Sequence, residues 1–210
     1  MDKNSTVIWI IIAFFIGIIA FVIIKHVVNV QENYIIWDSP YGDYKVEIIK
    51  TGNLTFYISG VVVGDTSYTF PLRYSPVDVQ DILSVPGVQK ILASKKMIYT
   101  TRDLELGNLT GQMSSIAALE FGKILGNADY GLYKIPVKAA FTESTNKSSA
   151  MVIPEITCSN ATKSMGVIYM KLGENNQIYL EEQCVIVQGV DAEGLVMTSD
   201  KLAYLLLGAF

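Results

Sequence analysis

The sequence predicts an α+β domain behind one N-terminal transmembrane helix, the domain being a mixed or mainly antiparallel sheet packed with helices. Three observations carry this expectation. An uncharged apolar run fills residues 7–24 (VIWIIIAFFIGIIAFVII). Segments with the period-two alternation of half-buried strands gather early and late in the remainder. Helical segments fall between and after them without a repeated strand–helix–strand unit, which argues for α+β and against a doubly wound architecture. With 210 residues, 50% hydrophobic and 17% charged, the chain is too apolar for disorder and has the size of one anchor and one domain.

Taken in order, residues 1–6 are expected in the cytoplasm and 7–26 as the anchor. At 1.5 Å per residue the apolar run spans about 27 Å as a helix, close to the ~30 Å of bilayer hydrocarbon. A helix satisfies its backbone donors internally, as lipid demands. The run continues into Lys25-His26-Val27-Val28-Asn29 with no Ala-x-Ala element, so it reads as an uncleaved signal-anchor and not as a removed signal peptide. Ala13, Gly17 and Ala20 recur at i, i+4 and i+7 and offer a small-residue face for helix packing. Residues 27–43 read as a connector whose Tyr34, Trp37 and Tyr41, with Tyr44 just beyond, suit packing under the domain or lying near headgroups.

The domain is expected over 44–210. Strands at 44–50 (YKVEIIK), 54–63 (LTFYISGVVV) and 66–73, with turns at Thr51-Gly52-Asn53 and Gly64-Asp65, predict a three-stranded meander. Ser75-Pro76-Val77-Asp78 is a helix start: Ser caps, Pro fits the first turn and Asp complements the helix dipole. That helix runs to about Leu83 and stops at Pro86-Gly87. A short helix or turn at 88–94, a strand near 97–101, a helix at 111–125 closed by Gly126 and an edge-type strand at 133–142 follow. Residues 166–172 and 177–188 flank Gly173-Glu174-Asn175-Asn176 and read as a hairpin, with Ile178, Leu180, Cys184 and Ile186 on one face. A helix at 199–207 closes the chain, holding Leu202, Leu205 and Leu206 in the core.

The side of the membrane is set by two features, because charge nearly ties: Lys3 precedes the anchor, and Lys25 and His26 follow it. Asn-x-Ser/Thr acceptor triplets begin at Asn4, Asn53, Asn108, Asn146 and Asn160, where roughly one is expected by chance. The four after the anchor mark candidate glycosylation sites, with coincidence in polar loops as the alternative. Cys158 and Cys184, an even pair outside any Cys-x-x-Cys motif, suit a disulfide in an oxidising compartment, with two buried thiols as the alternative. Both features place the domain outside the cell membrane.

The inventory of chemistry is short. The one histidine, His26, lies at the membrane boundary, so Ser-His, Cys-His and histidine-ligated metal sites lack a partner. Nucleotide-binding glycine loops, nucleophile elbows and EF-hand loops are missing, and no cofactor is implied. A net charge of -4 and a pI near 5.0 exclude a basic nucleic-acid footprint. Ser94 beside Lys95 and Lys96 reads as a solvated loop, Asp78 and Asp81 as capping and solvation, and Glu181 and Glu182 as carboxylates on opposite strand faces. Arg73 is the polar candidate for a structural or partner salt bridge.

Phe70-Pro71-Leu72-Arg73-Tyr74-Ser75-Pro76, and Ile156-Thr157-Cys158 followed by the Cys184 hairpin and the closing 200–210 helix, resemble small membrane-anchored surface proteins of unknown function from reduced-genome archaea. The resemblance implies an archaeal cell-surface protein and no activity; the single-pass anchor and the glycoprotein expectation come from the apolar run and the Asn triplets. The expected function is therefore a non-enzymatic interaction or structural module of the cell envelope, held in the lipid bilayer and engaging an envelope protein or itself. The alternative is a subunit of a surface filament or envelope lattice assembled through the apolar helix. An enzyme or small-ligand binder is a third class, marked by a deep pocket with convergent polar groups.

Overall fold

The computed structural model describes residues 33–126, 130–143 and 153–210. The anchor segment at 7–26 with Ala13, Gly17 and Ala20, and the Asn146 triplet, lie outside them. Among the described residues no helix is long and apolar enough to cross a membrane. The chain divides into two units at Ile35 and Ile36; of the first, only residues 33–35 are described, and the second is Ile36–Phe210.

Alternating side chains and tight turns build the first sheet. It comprises β1 (Tyr34–Ser39), β2 (Gly42–Thr51), β3 (Leu54–Val63) and β4 (Thr66–Leu72), side by side in that order. Strands β2, β3 and β4 are antiparallel, with Val46 opposite Ser59 and Ser59 opposite Phe70. The expected meander is present, but the segment read as a connector supplies a further strand, β1. Its reason is long-range: the Trp37 indole donates to the Ala209 carbonyl at 2.8 Å and its ring packs 5.2 Å from Phe210.

The second sheet has six strands: β5 (Leu83–Ser84), β6 (Met97–Arg102), β7 (Val137–Phe141), β8 (Met165–Leu172), β9 (Gln177–Glu181) and β10 (Cys184–Gly189). Their order is β5-β9-β10-β8-β6-β7. Strands β10, β8, β6 and β7 are mutually parallel, while β9 runs against β10. The sheet is mixed, as expected, around a parallel centre. The hairpin expected between 166–172 and 177–188 is not formed. Residues 177–188 break at Glu182, whose φ of 56° turns the chain, and the second half inserts as β10 between β8 and β9. Ile178 and Leu180 therefore lie on a different strand from Cys184 and Ile186.

Among the described residues five helices connect and cover the sheets: α1 (Pro76–Val79), α2 (Val88–Ala93), α3 (Leu104–Thr110), α4 (Met113–Leu125) and α5 (Ala192–Leu207). Helix α1 starts at the expected cap: the Ser75 hydroxyl accepts from the Asp78 N–H at 3.2 Å, and the Asp78 carboxylate accepts from the Ser75 N–H at 2.8 Å. Helix α5 begins seven residues earlier than expected, at Ala192 instead of 199, because the Asp191 carboxylate caps it from the Gly194 N–H at 2.7 Å. Gly189 allows β10 and α5 to meet closely, since a Cβ there would lie 2.2 Å from the Leu195 nitrogen, and Gly194 admits the Asn176 side chain against α5, since a Cβ there would lie 2.3 Å from its Oδ1.

Helix α5 is buried nearly all round, which marks a helix covered on more than one side. On one side lies the face of the six-stranded sheet that carries Val185, Val187 and Gly189. On another lies the meander, through Tyr44, whose ring meets Tyr204 edge-on at 6.4 Å. Polar residues inside the helix are satisfied locally: Thr198 donates to the Gly194 and Gln188 carbonyls, and Ser199 to Leu195. The opposite face of the six-stranded sheet, bearing Val167, Cys184 and Ile186, packs against Ile156, Cys158 and Ala161. There Cys158, in a 3-10 turn, and Cys184 form a disulfide with Cα atoms 5.1 Å apart. The bridge closes 26 residues of separation. On the chain-entropy account it stabilises the fold by about 3–4 kcal/mol.

Candidate functional site

Arg73 sits where β4 leaves the meander. Its backbone N–H and that of Tyr74 donate to one oxygen of Asp200 on α5, at 2.9 and 2.7 Å. The Tyr204 hydroxyl donates to the Tyr74 carbonyl at 2.9 Å. The Arg73 guanidinium lies 5.2 Å over the Phe56 ring, with its Nε 3.9 Å from Glu120. Glu120 is buried and also pairs with Lys123, which reaches the Pro71 carbonyl. Asp200 has a pKa well above the ordinary carboxylate range, first because of burial and then because of the Glu120 charge, opposed by its two backbone donors. The candidate arginine therefore makes contacts within the domain. It also lines a cleft of about 430 Å³ that includes Asn53, Tyr57 and Asp78.

A second polar group lies on the sheet face opposite α5. Asp103, directly after β6, accepts from the Thr142 hydroxyl at 2.5 Å and the Tyr169 hydroxyl at 2.7 Å. These residues stand at or near the carboxyl ends of parallel strands, where open α/β sheets place ligands. Lys171 is 5.9 Å from the centre of the Tyr169 ring and 5.8 Å from that of Tyr179. The Tyr169 pKa is raised, by burial and then by its bond to Asp103; the Lys171 pKa is raised by its hydrogen bond with Tyr179. The group is internally paired, so it presents a fixed polar and aromatic surface.

A cavity of about 540 Å³ opens between α4 and the β6–β7 side of the sheet. Ala118, Leu119 and Gly122 form its helical wall, and Val137, Ala139 and Met170 its sheet wall. Thr100 and Arg102, at alternate positions of β6, contribute polar groups from the sheet, and Ser115 and Lys123 from the helix, with Tyr130 at the edge. The Arg102 guanidinium donates to the Ser114 hydroxyl and lies 5.7 Å from the Phe141 ring centre. Burial lowers its pKa from the ordinary arginine value.

Other expected positions are distributed around the fold. Asn53, Asn108 and Asn160 are exposed, in a turn, on α3 and in the 3-10 turn; the Asn160 side-chain Oδ1 accepts from the Thr157 N–H at 2.8 Å. Ser94 and Lys95 diverge: the serine donates to the Ile91 carbonyl at 2.7 Å, and the buried lysine to the Thr162 carbonyl at 2.6 Å. Glu182 is not on a strand but in the turn between β9 and β10. Among the described residues no three His, Cys, Asp or Glu side chains group to hold a metal ion. Arg102 and Asp103 were not singled out in the sequence. Their signal, a polar pair ending an apolar strand and opening a helix, has meaning only once that strand is known to be parallel.

The chain matches no known protein family model, no curated protein and no solved structure.

Proposed function

We infer that this chain is an extracytoplasmic interaction module of the cell envelope, tethered by its apolar N-terminal segment, that works by binding and not by catalysis. The observation that carries the reading is the Cys158–Cys184 disulfide. A structural disulfide persists in an oxidising compartment, and the apolar run at 7–24 supplies the means of reaching one while staying attached. The bridge fastens the segment around Cys158 to the sheet face beside Tyr169 and Tyr179, and so stiffens the part of the surface that carries Asp103 and Lys171.

Such a surface suits an envelope protein partner: aromatic rings with a lysine and carboxylates supply contact area and charge register. The exposed triplets at Asn53, Asn108 and Asn160 accord with modification on that side of the membrane. Protease added to intact cells tests the reading. It is expected to remove epitopes placed at the C-terminus and to leave an N-terminal epitope untouched. Protection of both ends in intact cells, with loss only after lysis, would overturn it. Regular polymers formed by the purified chain would assign it instead to a filament or lattice.

A further inference from the structure

We propose that the cavity between α4 and the β6–β7 side of the sheet is a binding site for an unbranched apolar chain ending in a carboxylate, with Arg102 as the carboxylate receptor. The inference stands on the cavity alone and is independent of the tethering argued above.

Two polar groups in this cavity lack a full complement of partners among the described residues. Among the described residues Arg102 has no carboxylate within ion-pair distance; its partners are the Ser114 hydroxyl and the Phe141 ring. A partly desolvated guanidinium without a counter-charge is costly, and its flat fork of donors matches a carboxylate with two parallel bonds. Thr100, two residues earlier on the same face of β6, is 6% exposed, and its hydroxyl has no hydrogen-bond partner among the described residues. An oxyanion near Arg102 would give both groups a partner.

The remaining lining selects what is attached to that oxyanion. Besides Ser115, Tyr130 and Lys123, whose ammonium is held by Glu120 and the Pro71 carbonyl, it is apolar, with Ala118, Leu119, Gly122, Val137, Ala139 and Met170 offering neither charge nor side-chain donors, so the rest of the ligand is mainly apolar. Gly122 keeps the helical wall low: a Cβ built there meets nothing within 4 Å. A glycine inside a helix costs roughly 1 kcal/mol relative to alanine, and here the missing side chain leaves cavity in its place.

The test titrates carbon-13-carboxyl-labelled decanoate into full-length protein in lipid nanodiscs, against empty nanodiscs, and follows the carboxyl resonance. A saturable, protein-dependent signal is expected. Affinity should rise about 3- to 4-fold per methylene from hexanoate to decanoate, as burial of each methylene implies. Decanoate should outcompete decan-1-ol by about 10-fold or more, the value of a charge-assisted bond. Gly122→Leu fills the cavity at a position with free space and a better helix former, so it should keep the melting temperature and lose binding by about 10-fold or more. Arg102→Gln should erase the preference for decanoate over the alcohol. The proposal is overturned by binding no greater than to empty nanodiscs, by undiminished binding in a folded Gly122→Leu variant, or by an apolar peptide with a free C-terminus binding where decanoate does not.

Discussion

Asp200 shows how a single side chain joins parts of the fold distant in sequence. Its Oδ2 takes the two backbone donors at Arg73 and Tyr74, while Oδ1 is buried without a partner among the described residues. Asp200→Ala leaves both N–H groups unpaired in the interior and should cost about 2–4 kcal/mol in chemical denaturation. Asp200→Asn keeps an acceptor while removing the buried charge, and should cost less than half as much. Equal losses would contradict the assigned role. Lys201, its neighbour, is buried against Phe210 and donates to the Gln80 carbonyl at 3.2 Å. Burial lowers its pKa to about 8, partly offset by the Asp81 charge. Its folded pKa lies below the ordinary lysine value, so between pH 8 and 10 the unfolded chain holds more protons and stability rises with pH. Over that range wild type should gain roughly 1 kcal/mol relative to Lys201→Met, after allowance for solvent screening. A constant difference would contradict the burial. Neither residue was legible as interior: Asp-Lys within a leucine-rich run reads as the wet side of an amphipathic helix. Only the second layer, packed on that side, makes it a buried pair.

At the scale of elements, local signals survived where local chemistry decides the outcome. Ser75 and Asp78 form the capping box that their spacing predicts, and the glycine turns bound β2, β3 and β4 where alternation placed them. Signals failed where the decision is made across the sheet. Residues 177–188 carry continuous strand character, so the break at Glu182 was invisible; it appears because β10 is buried throughout and has β8 and β9 as neighbours. The start of α5 was also missed, since Gly194 weakens a helical reading that the Asp191 cap then restores. The close approach at Gly189 gives the element-scale prediction. A Cβ there would meet Leu195 and Gly194 backbone atoms at 2.2–2.7 Å, so β10 and α5 would have to separate. Gly189→Ala should destabilise the domain by about 2–3 kcal/mol, in the range of overpacked interiors. A change below about 0.5 kcal/mol would show that the junction yields.

For the molecule as a whole, the α+β class was legible, and so was the pairing potential of two cysteines, but not the parallel centre of the six-stranded sheet. Parallel neighbours need crossovers, and the helix read at 111–125 is one between β6 and β7, but a helix between two strands does not by itself say which strands become neighbours. The candidate site followed the same division. Arg73 was visible as a charged residue at a strand end, whereas the Arg102 cavity and the Asp103–Tyr169 pair exist only after β6 is placed between β7 and β8. The central claim, that a retained apolar segment holds a disulfide-bonded domain outside the membrane, is tested most directly by intact mass of the native protein from membranes, with and without reductant and deglycosidase. The account predicts a mass that includes residues 7–24 and rises by two protons per chain on reduction. A product that begins beyond Lys25, or thiols that alkylate fully without reductant, would contradict it.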